Sequence, residues 1–155
     1  GQRNAEGEDE RIHFETLIYG RVALICSSQS DWSSRRSVSL RELENVNLIR
    51  RVGEVENLGV RGMMMGGKSK QTVQLEAMNT ETIIPYVRRG MGMTLAPDFV
   101  VKMMAPPGIS IIELEEEIPV SWGVMRDACR PVTKAEQIFI DTLIELLPKA
   151  LRDST

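Results

Sequence analysis

Apolar and polar positions along this chain alternate between a two-residue and a three-to-four-residue period, and the changes of period divide it into elements. Residues 12–27 carry Ile12, Phe14, Leu17, Ile18, Val22, Ala23, Leu24 and Ile25 around Gly20, which predicts two strands separated by a short break. The unbroken part, 22–26, suits a strand buried on both faces, as parallel strands of α/β folds are. The serine-rich stretch 27–37 predicts a loop. Ser39, with Glu42 three positions on, predicts the start of a short helix bearing Leu40 and Leu43. A short strand is expected at 46–49. Glu54 and Glu56 suit the first turn of a helix over 54–65, although Gly59 and Gly62 each cost a helix about 1 kcal/mol.

The second half repeats the alternation. Residues 72–78 read as a strand, and Asn79-Thr80-Glu81-Thr82 opens a helix that closes on Arg88, Arg89 and Gly90. Pro85 near its first turn fixes the start within a residue or two of Thr82. A short strand at 93–96 leads to Pro97, which opens a helix through Val100, Val101 and Met104. After Pro106-Pro107-Gly108 come strands at 109–114 and 120–125, flanking the acidic turn Glu115-Glu116-Glu117. Pro131 precedes a last helix from Thr133 to about Leu151, where Ile138, Phe139, Leu143, Ile144, Leu146 and Leu147 form a broad apolar stripe. This order predicts an α/β fold with a mainly parallel sheet and helices on both faces.

Composition narrows the function. The chain has 155 residues, 42% of them hydrophobic and 26% charged, enough for one sizeable core. Its net charge of -3 provides no field to hold phosphate backbones, so this segment is not expected to bind nucleic acid directly. The two cysteines, Cys26 and Cys129, fit neither a disulfide framework nor a metal motif and favour a reducing cytoplasm. No apolar run reaches the roughly 18 residues that span a bilayer, and residues 1–11 read as a disordered or connecting segment without a secretory pattern. The only histidine, His13, has no partner that would activate a nucleophile. The nine methionines, including Met63-Met64-Met65 and Met103-Met104, lack a Cys/His cluster and read as core. Neither catalysis nor a metal or cofactor is expected.

Order and spacing of several segments together resemble the sensing domains of LysR-type transcription regulators. The segment Val73-Gln74-Leu75-Glu76-Ala77-Met78-Asn79-Thr80-Glu81, the closing Gly90-Met91-Gly92 and the strand ending at Pro97 match a stretch of that family in which a strand ends in a polar cap, a helix closes on Gly-x-Gly and a strand stops at a proline. Upstream, Val38-Ser39-Leu40-Arg41-Glu42-Leu43 and Asn47-Leu48-Ile49 are similar to its "VSLxDL…PLI" stretch. Downstream, Trp122-Gly123-Val124-Met125-Arg126, Pro131-Val132-Thr133 and the final helix are similar to its closing segment. The resemblance covers about residues 12–147. It implies a type 2 periplasmic-binding-protein-like fold of two lobes joined by two crossing strands. On this mapping residues 20–128 form a nearly complete second lobe, whereas 12–19 and 129–155 are a remnant of the first. The DNA-binding helix-turn-helix would lie outside this segment.

The resemblance also implies a small-molecule effector in the crevice between the lobes, at the carboxyl ends of the strands. Those ends give Ser27, Ser28, Arg51, Val52, Gly53, Asn79, Thr80, Ala96 and Pro97 as candidate contacts. Free N–H groups at helix starts near Gly53 and Thr80, with the Arg51 guanidinium, suit a small polar or anionic effector. The alternative is that Asn79 or Thr80 only caps its helix and Arg51 pairs with Glu54 or Glu56. The implied partners are that effector, a second or further copies of the full-length regulator, and DNA through the helix-turn-helix alone. A solute-binding protein of the same architecture is the other function considered; it would carry a secretory signal or lipid anchor. Cys26 and Cys129 fall on the two segments expected to cross between the lobes, which would bring them near each other and leaves a redox pair open.

Overall fold

A computed structural model describes residues 12–51, 73–77 and 79–153. Its strands are β1 (Ile12–Ser27), β2 (Ser37–Val38), β3 (Leu48–Arg51), β4 (Val73–Ala77), β5 (Thr94–Pro97), β6 (Ile109–Leu114) and β7 (Pro119–Asp127). The helices are α1 (Thr80–Arg88), α2 (Asp98–Met104) and α3 (Lys134–Asp153). The helix expected over 54–65 and the segment 1–11 lie outside the described residues.

Where two strands with a break at Gly20 were expected, β1 is a single strand of 16 residues. It changes partners midway. Its first part pairs antiparallel with β7, from Ile12 opposite Asp127 to Arg21 opposite Pro119, with a register shift between Thr16 and Ile18. Its second part lies between β5 and β6, antiparallel to both, with Val22 opposite Pro97 and Ser27 opposite Ile109. Strand β2 is parallel to β6, β3 is parallel to β4, and Leu48 bridges in parallel to Met93 just before β5. The spatial order is therefore β2-β6-β1-β5-β3-β4. Along that order five strands share one direction and β1 alone opposes them, with β7 off the path and antiparallel to the first part of β1, so the expected parallel sheet is mixed at its centre.

Burial on both faces of β1 follows its two-residue period. Val22, Leu24 and Cys26 pack with Val38, Leu40, Leu43, Leu48, Ile112, Leu114 and Ile118 on one side of the sheet. Ala23 and Ile25 pack with Ile49, Ile83, Ile84, Val87, Ala96 and Val101 on the other. Helix α1 supplies Ile83, Ile84 and Val87 at helical spacing to that second core. Its N-cap is Asn79, whose Oδ1 accepts from the Thr82 N–H at 2.9 Å. It closes on Gly90 at φ 73°, the left-handed position that favours glycine after a helix. The expected short helix after Ser39 is a 3-10 turn, Leu40–Asn45, in which Ser39 N–H donates to Glu42 Oε2 at 3.1 Å.

The β1/β7 ribbon leads to α3. Pro131 and Thr133 end the ribbon's exit, and Thr133 with Glu136 forms a reciprocal cap. The Glu136 N–H donates to Thr133 Oγ1 at 3.2 Å, and the Thr133 N–H donates to Glu136 Oε2 at 2.8 Å. Arg130 also binds Glu136. The Thr133 N–H bond first, then Arg130 and the Thr133 hydroxyl, hold the Glu136 carboxyl down at about 2 from an ordinary 4.5. A carboxyl whose pKa is lower in the folded than in the unfolded state stabilises the fold above its unfolded value and loses that contribution as pH falls. The difference in urea midpoint between the native chain and Glu136→Gln is thus expected to be full above pH 4.5 and to shrink toward pH 2. A difference that grows on acidification would contradict this cap.

Candidate functional site

Sheet direction decides which of the candidate residues can meet. The carboxyl ends of β3, β4 and β5 lie at one end of the sheet, because these strands run the same way. Arg51 ends β3, Pro97 ends β5, and Asn79 and Thr80 follow β4 at the start of α1. Val52 and Gly53 lie outside the described residues. Ala96 is buried at 2% exposure and packs in the core beneath Pro97, so it can offer little more than its backbone.

Ser27 and Ser28 do not join this group. Because β1 is antiparallel to β5, its carboxyl end lies at the opposite edge of the sheet. Val22 stands opposite Pro97, and Ser27 is five residues further on, about 16 Å away at 3.3 Å per residue. There the Ser27 hydroxyl donates to the Arg88 carbonyl at 3.2 Å, and the Ser28 N–H donates to the Gly108 carbonyl at 3.0 Å. Ser27 there lines a hollow with Arg88, Arg89 and Gly90 at the end of α1.

The cysteine pair separates for the same reason. Cys26 lies near the far end of β1, fully buried, opposite Ser110. Cys129 is exposed beyond the end of β7, two residues past Asp127, which faces Ile12 at the start of β1. Fourteen residues of strand between Ile12 and Cys26 span about 45 Å, far beyond the roughly 7 Å that a disulfide allows. Burial also pushes the Cys26 thiol up from 9.0, which suppresses its thiolate. Titration with a chromogenic disulfide reagent is expected to modify one thiol rapidly in the native chain and the second only in denaturant. Cys129→Ser should remove the rapid phase, and two rapid thiols would contradict this packing.

Among the described residues, the N-terminus of α1 is a polar feature of the end of the sheet where β3, β4 and β5 terminate. Asn79 Oδ1 takes both the Thr82 N–H, at 2.9 Å, and the Thr82 hydroxyl, at 2.6 Å. Capping is therefore the work of Asn79, while Thr80 occupies the first helical position and is 7% exposed. The N–H groups of Thr80 and Glu81 precede the first intrahelical bonds and point out of the helix end, where its dipole favours an anion. Glu81, exposed in the same turn, opposes that preference.

The sequence did not single out Asp98, the residue after Pro97. One oxygen of its carboxylate accepts from the Arg21 N–H at 3.1 Å and from the Phe99 N–H at 2.9 Å, and the other binds Lys102 Nζ at 2.9 Å. Burial alone would raise the Asp98 carboxyl, but Lys102 and the two N–H groups outweigh it and hold the carboxyl below its usual range. Beside it, a side chain at Gly20 would meet Asp98 Oδ1 and Phe99 Cδ1, each at 2.5 Å. The Phe99 ring lies 5.7 Å from that of Trp122 on β7. Helix α2 thus grips the point where the ribbon enters the sheet, next to the candidate site.

Among the described residues no group of three or more His, Cys, Asp or Glu is placed to hold a metal, and no helix is long and apolar enough to cross a membrane.

Comparison with known proteins gives this geometry a family. Residues 2–148 match the model of the LysR substrate binding domain. No curated protein sequence matches the chain. Among solved structures, HinK, a LysR family transcriptional regulator from Pseudomonas aeruginosa, is similar with a TM-score of 0.72 and 17% identity, over 94% of this chain and 51% of that one. The regulatory domain of CcmR from Synechocystis PCC6803, solved in complex with 2-PG, is similar with a TM-score of 0.74 and 18% identity, over 92% of this chain and 70% of that one. The effector binding domain of QuiR, in complex with shikimate, gives a TM-score of 0.69 and 12% identity over 92% and 69%. The chain spans about half the length of the HinK chain. It belongs to the LysR substrate-binding domain family and has the periplasmic-binding-protein-like type 2 fold.

Proposed function

We propose that this chain is the effector-sensing part of a bacterial LysR-type transcription regulator that works in the cytoplasm. It would bind a small polar or anionic molecule at the end of the sheet formed by Arg51, Asn79, Thr80 and Pro97. The observation that carries this reading is the convergence of the β3, β4 and β5 carboxyl ends on the N-terminus of α1, within a chain matched to the family over residues 2–148. The 2-PG and shikimate complexes of the similar domains support a small polar ligand. Residues 20–128 act as the second lobe. The outer ribbon and α3 belong with the first, in keeping with exposed Ile12, Met125, Ile138, Phe139 and Leu146 on them. In the whole regulator, ligand bound between the lobes shifts a two-state arrangement of subunits that a separate helix-turn-helix transmits to DNA. No catalytic step is part of this function.

Calorimetry with a panel of carboxylates, amino acids and sulfate, on the regulator bearing both lobes, tests it. At least one compound is expected to bind, and Thr80→Ala should weaken it by about tenfold, the worth of one hydrogen bond to a charged ligand. No binding by any member, or full affinity in Thr80→Ala, would sink the proposal.

A further inference from the structure

Each of α1, α2 and α3 carries an acidic residue in its first turn, where the helix dipole favours one. In α2 and α3 that carboxylate is occupied. Asp98 accepts from the Arg21 and Phe99 N–H groups and binds Lys102. Glu136 accepts from the Thr133 N–H and hydroxyl and binds Arg130. Glu42, in the 3-10 turn, likewise takes the Ser39 N–H and pairs with Arg35. Glu81 in α1 differs: it is exposed, and its carboxylate has no hydrogen bond or ion pair among the described residues.

The sequence around Glu81 explains why. A helical side chain meets residues three and four positions away, and for Glu81 these are Ile84, Pro85, Met78 and Ala77. None of them carries a positive charge. Glu42 and Glu136 reach back to their caps from three positions beyond Ser39 and Thr133, but the residue three beyond Asn79 is Thr82. Glu81 is one position too early for such a cap.

Thr80, the residue before it, supplies the opposite chemistry. It lies on the buried side of α1 with Ile83, Ile84 and Val87 and is only 7% exposed, yet its hydroxyl has no hydrogen-bond partner among the described residues. Helical side chains tilt toward the helix N-terminus, so this hydroxyl joins the free N–H groups of Thr80 and Glu81 at the start of α1. One turn thus holds unsatisfied donors and an uncommitted carboxylate side by side. A plain anion would use the donors and be repelled by Glu81. A molecule carrying a carboxylate and an ammonium on one carbon would satisfy both.

We propose that Glu81 is a specificity-determining residue that binds the ammonium of a zwitterionic effector, an α-amino acid. The carboxylate of that effector takes the Thr80 and Glu81 N–H groups and the Thr80 hydroxyl, as charge-assisted hydrogen bonds. This inference rests on the site reading given above and narrows its ligand to molecules bearing both charges.

Calorimetry on the regulator bearing both lobes tests it with matched compounds. These are the common α-amino acids, the carboxylate of each skeleton without its amine, the methyl ester of each amino acid, and sulfate as a plain anion. At least one amino acid is expected to bind about tenfold tighter, or more, than its deaminated carboxylate, its ester and sulfate, the worth of one hydrogen bond between charged groups. Glu81→Gln should weaken that amino acid by about tenfold and leave the deaminated carboxylate as tight or tighter. Glu81→Lys should enlarge both changes. A deaminated carboxylate or sulfate that binds as tightly as any amino acid would overturn the role of Glu81 while leaving the effector site standing. So would equal weakening of amino acid and carboxylate in Glu81→Gln, the mark of a merely structural residue. Absence of binding by every compound would overturn the effector reading, and this inference with it.

Discussion

Gly123→Ala is expected to destabilise the chain by about 3 kcal/mol or more, which falls in the severe range for a single substitution. The added carbon would lie 2.1 Å from the Glu15 carbonyl oxygen and 2.9 Å from both the Glu15 carbonyl carbon and Phe14 Cζ. Two of these three atoms are backbone, so rotating a side chain cannot relieve the contact. The ribbon must separate, losing β1/β7 pairing on either side of the register shift between Thr16 and Ile18. Urea unfolding followed by circular dichroism measures the change, as a lower midpoint for the main transition or as early loss of the ribbon alone. A stability within about 0.5 kcal/mol of native, the usual range for a harmless surface change, would mean that the strands do not approach as described.

Leu24→Ala should cost about 3–5 kcal/mol, the range for removing a buried leucine from a core that cannot collapse around the gap. Leu24 has no exposed surface and its neighbours across the sheet are Leu95 and Ile112. Both adjoining strands hold its backbone, so the cavity persists. With domain stabilities commonly about 5–15 kcal/mol, much of the fold's margin would be lost. The check is the urea midpoint at an unchanged slope; a loss below about 1 kcal/mol would place Leu24 outside a packed core.

The elements were legible in the sequence wherever a local pattern generates them. The run 22–26 announced a strand buried on both faces, and Val22 and Ala23 do pack into opposite cores. The polar start at Asn79 and the closing Gly90 bounded α1, because capping is decided within a few residues. What local pattern cannot express is the direction in which a strand enters a sheet. Ser27 and Ser28 were grouped with Pro97 because each follows a strand, yet antiparallel entry of β1 sends them to the opposite edge. The same reversal carries Cys26 away from Cys129.

Glycine misled in a second way. Gly20 reads as a break when only sequence is considered, since glycine weakens strands. It proves to be the contact between β1 and α2, a close approach that only the packing of Asp98 and Phe99 requires. Asp98 carries no local signal beyond that of an acidic residue in a helix's first turn. Its role comes from Arg21, 77 residues away in the chain.

The proposed ligand site lies at the N-terminus of α1. Hydrogen exchange on the two-lobe regulator, with the tightest binder of the carboxylate, amino-acid and sulfate panel, tests it most directly. The account predicts new protection at residues 79–82 and 95–98 and none at 27–32. Protection confined to 27–32 and 88–90 would put the ligand at the opposite edge and contradict it.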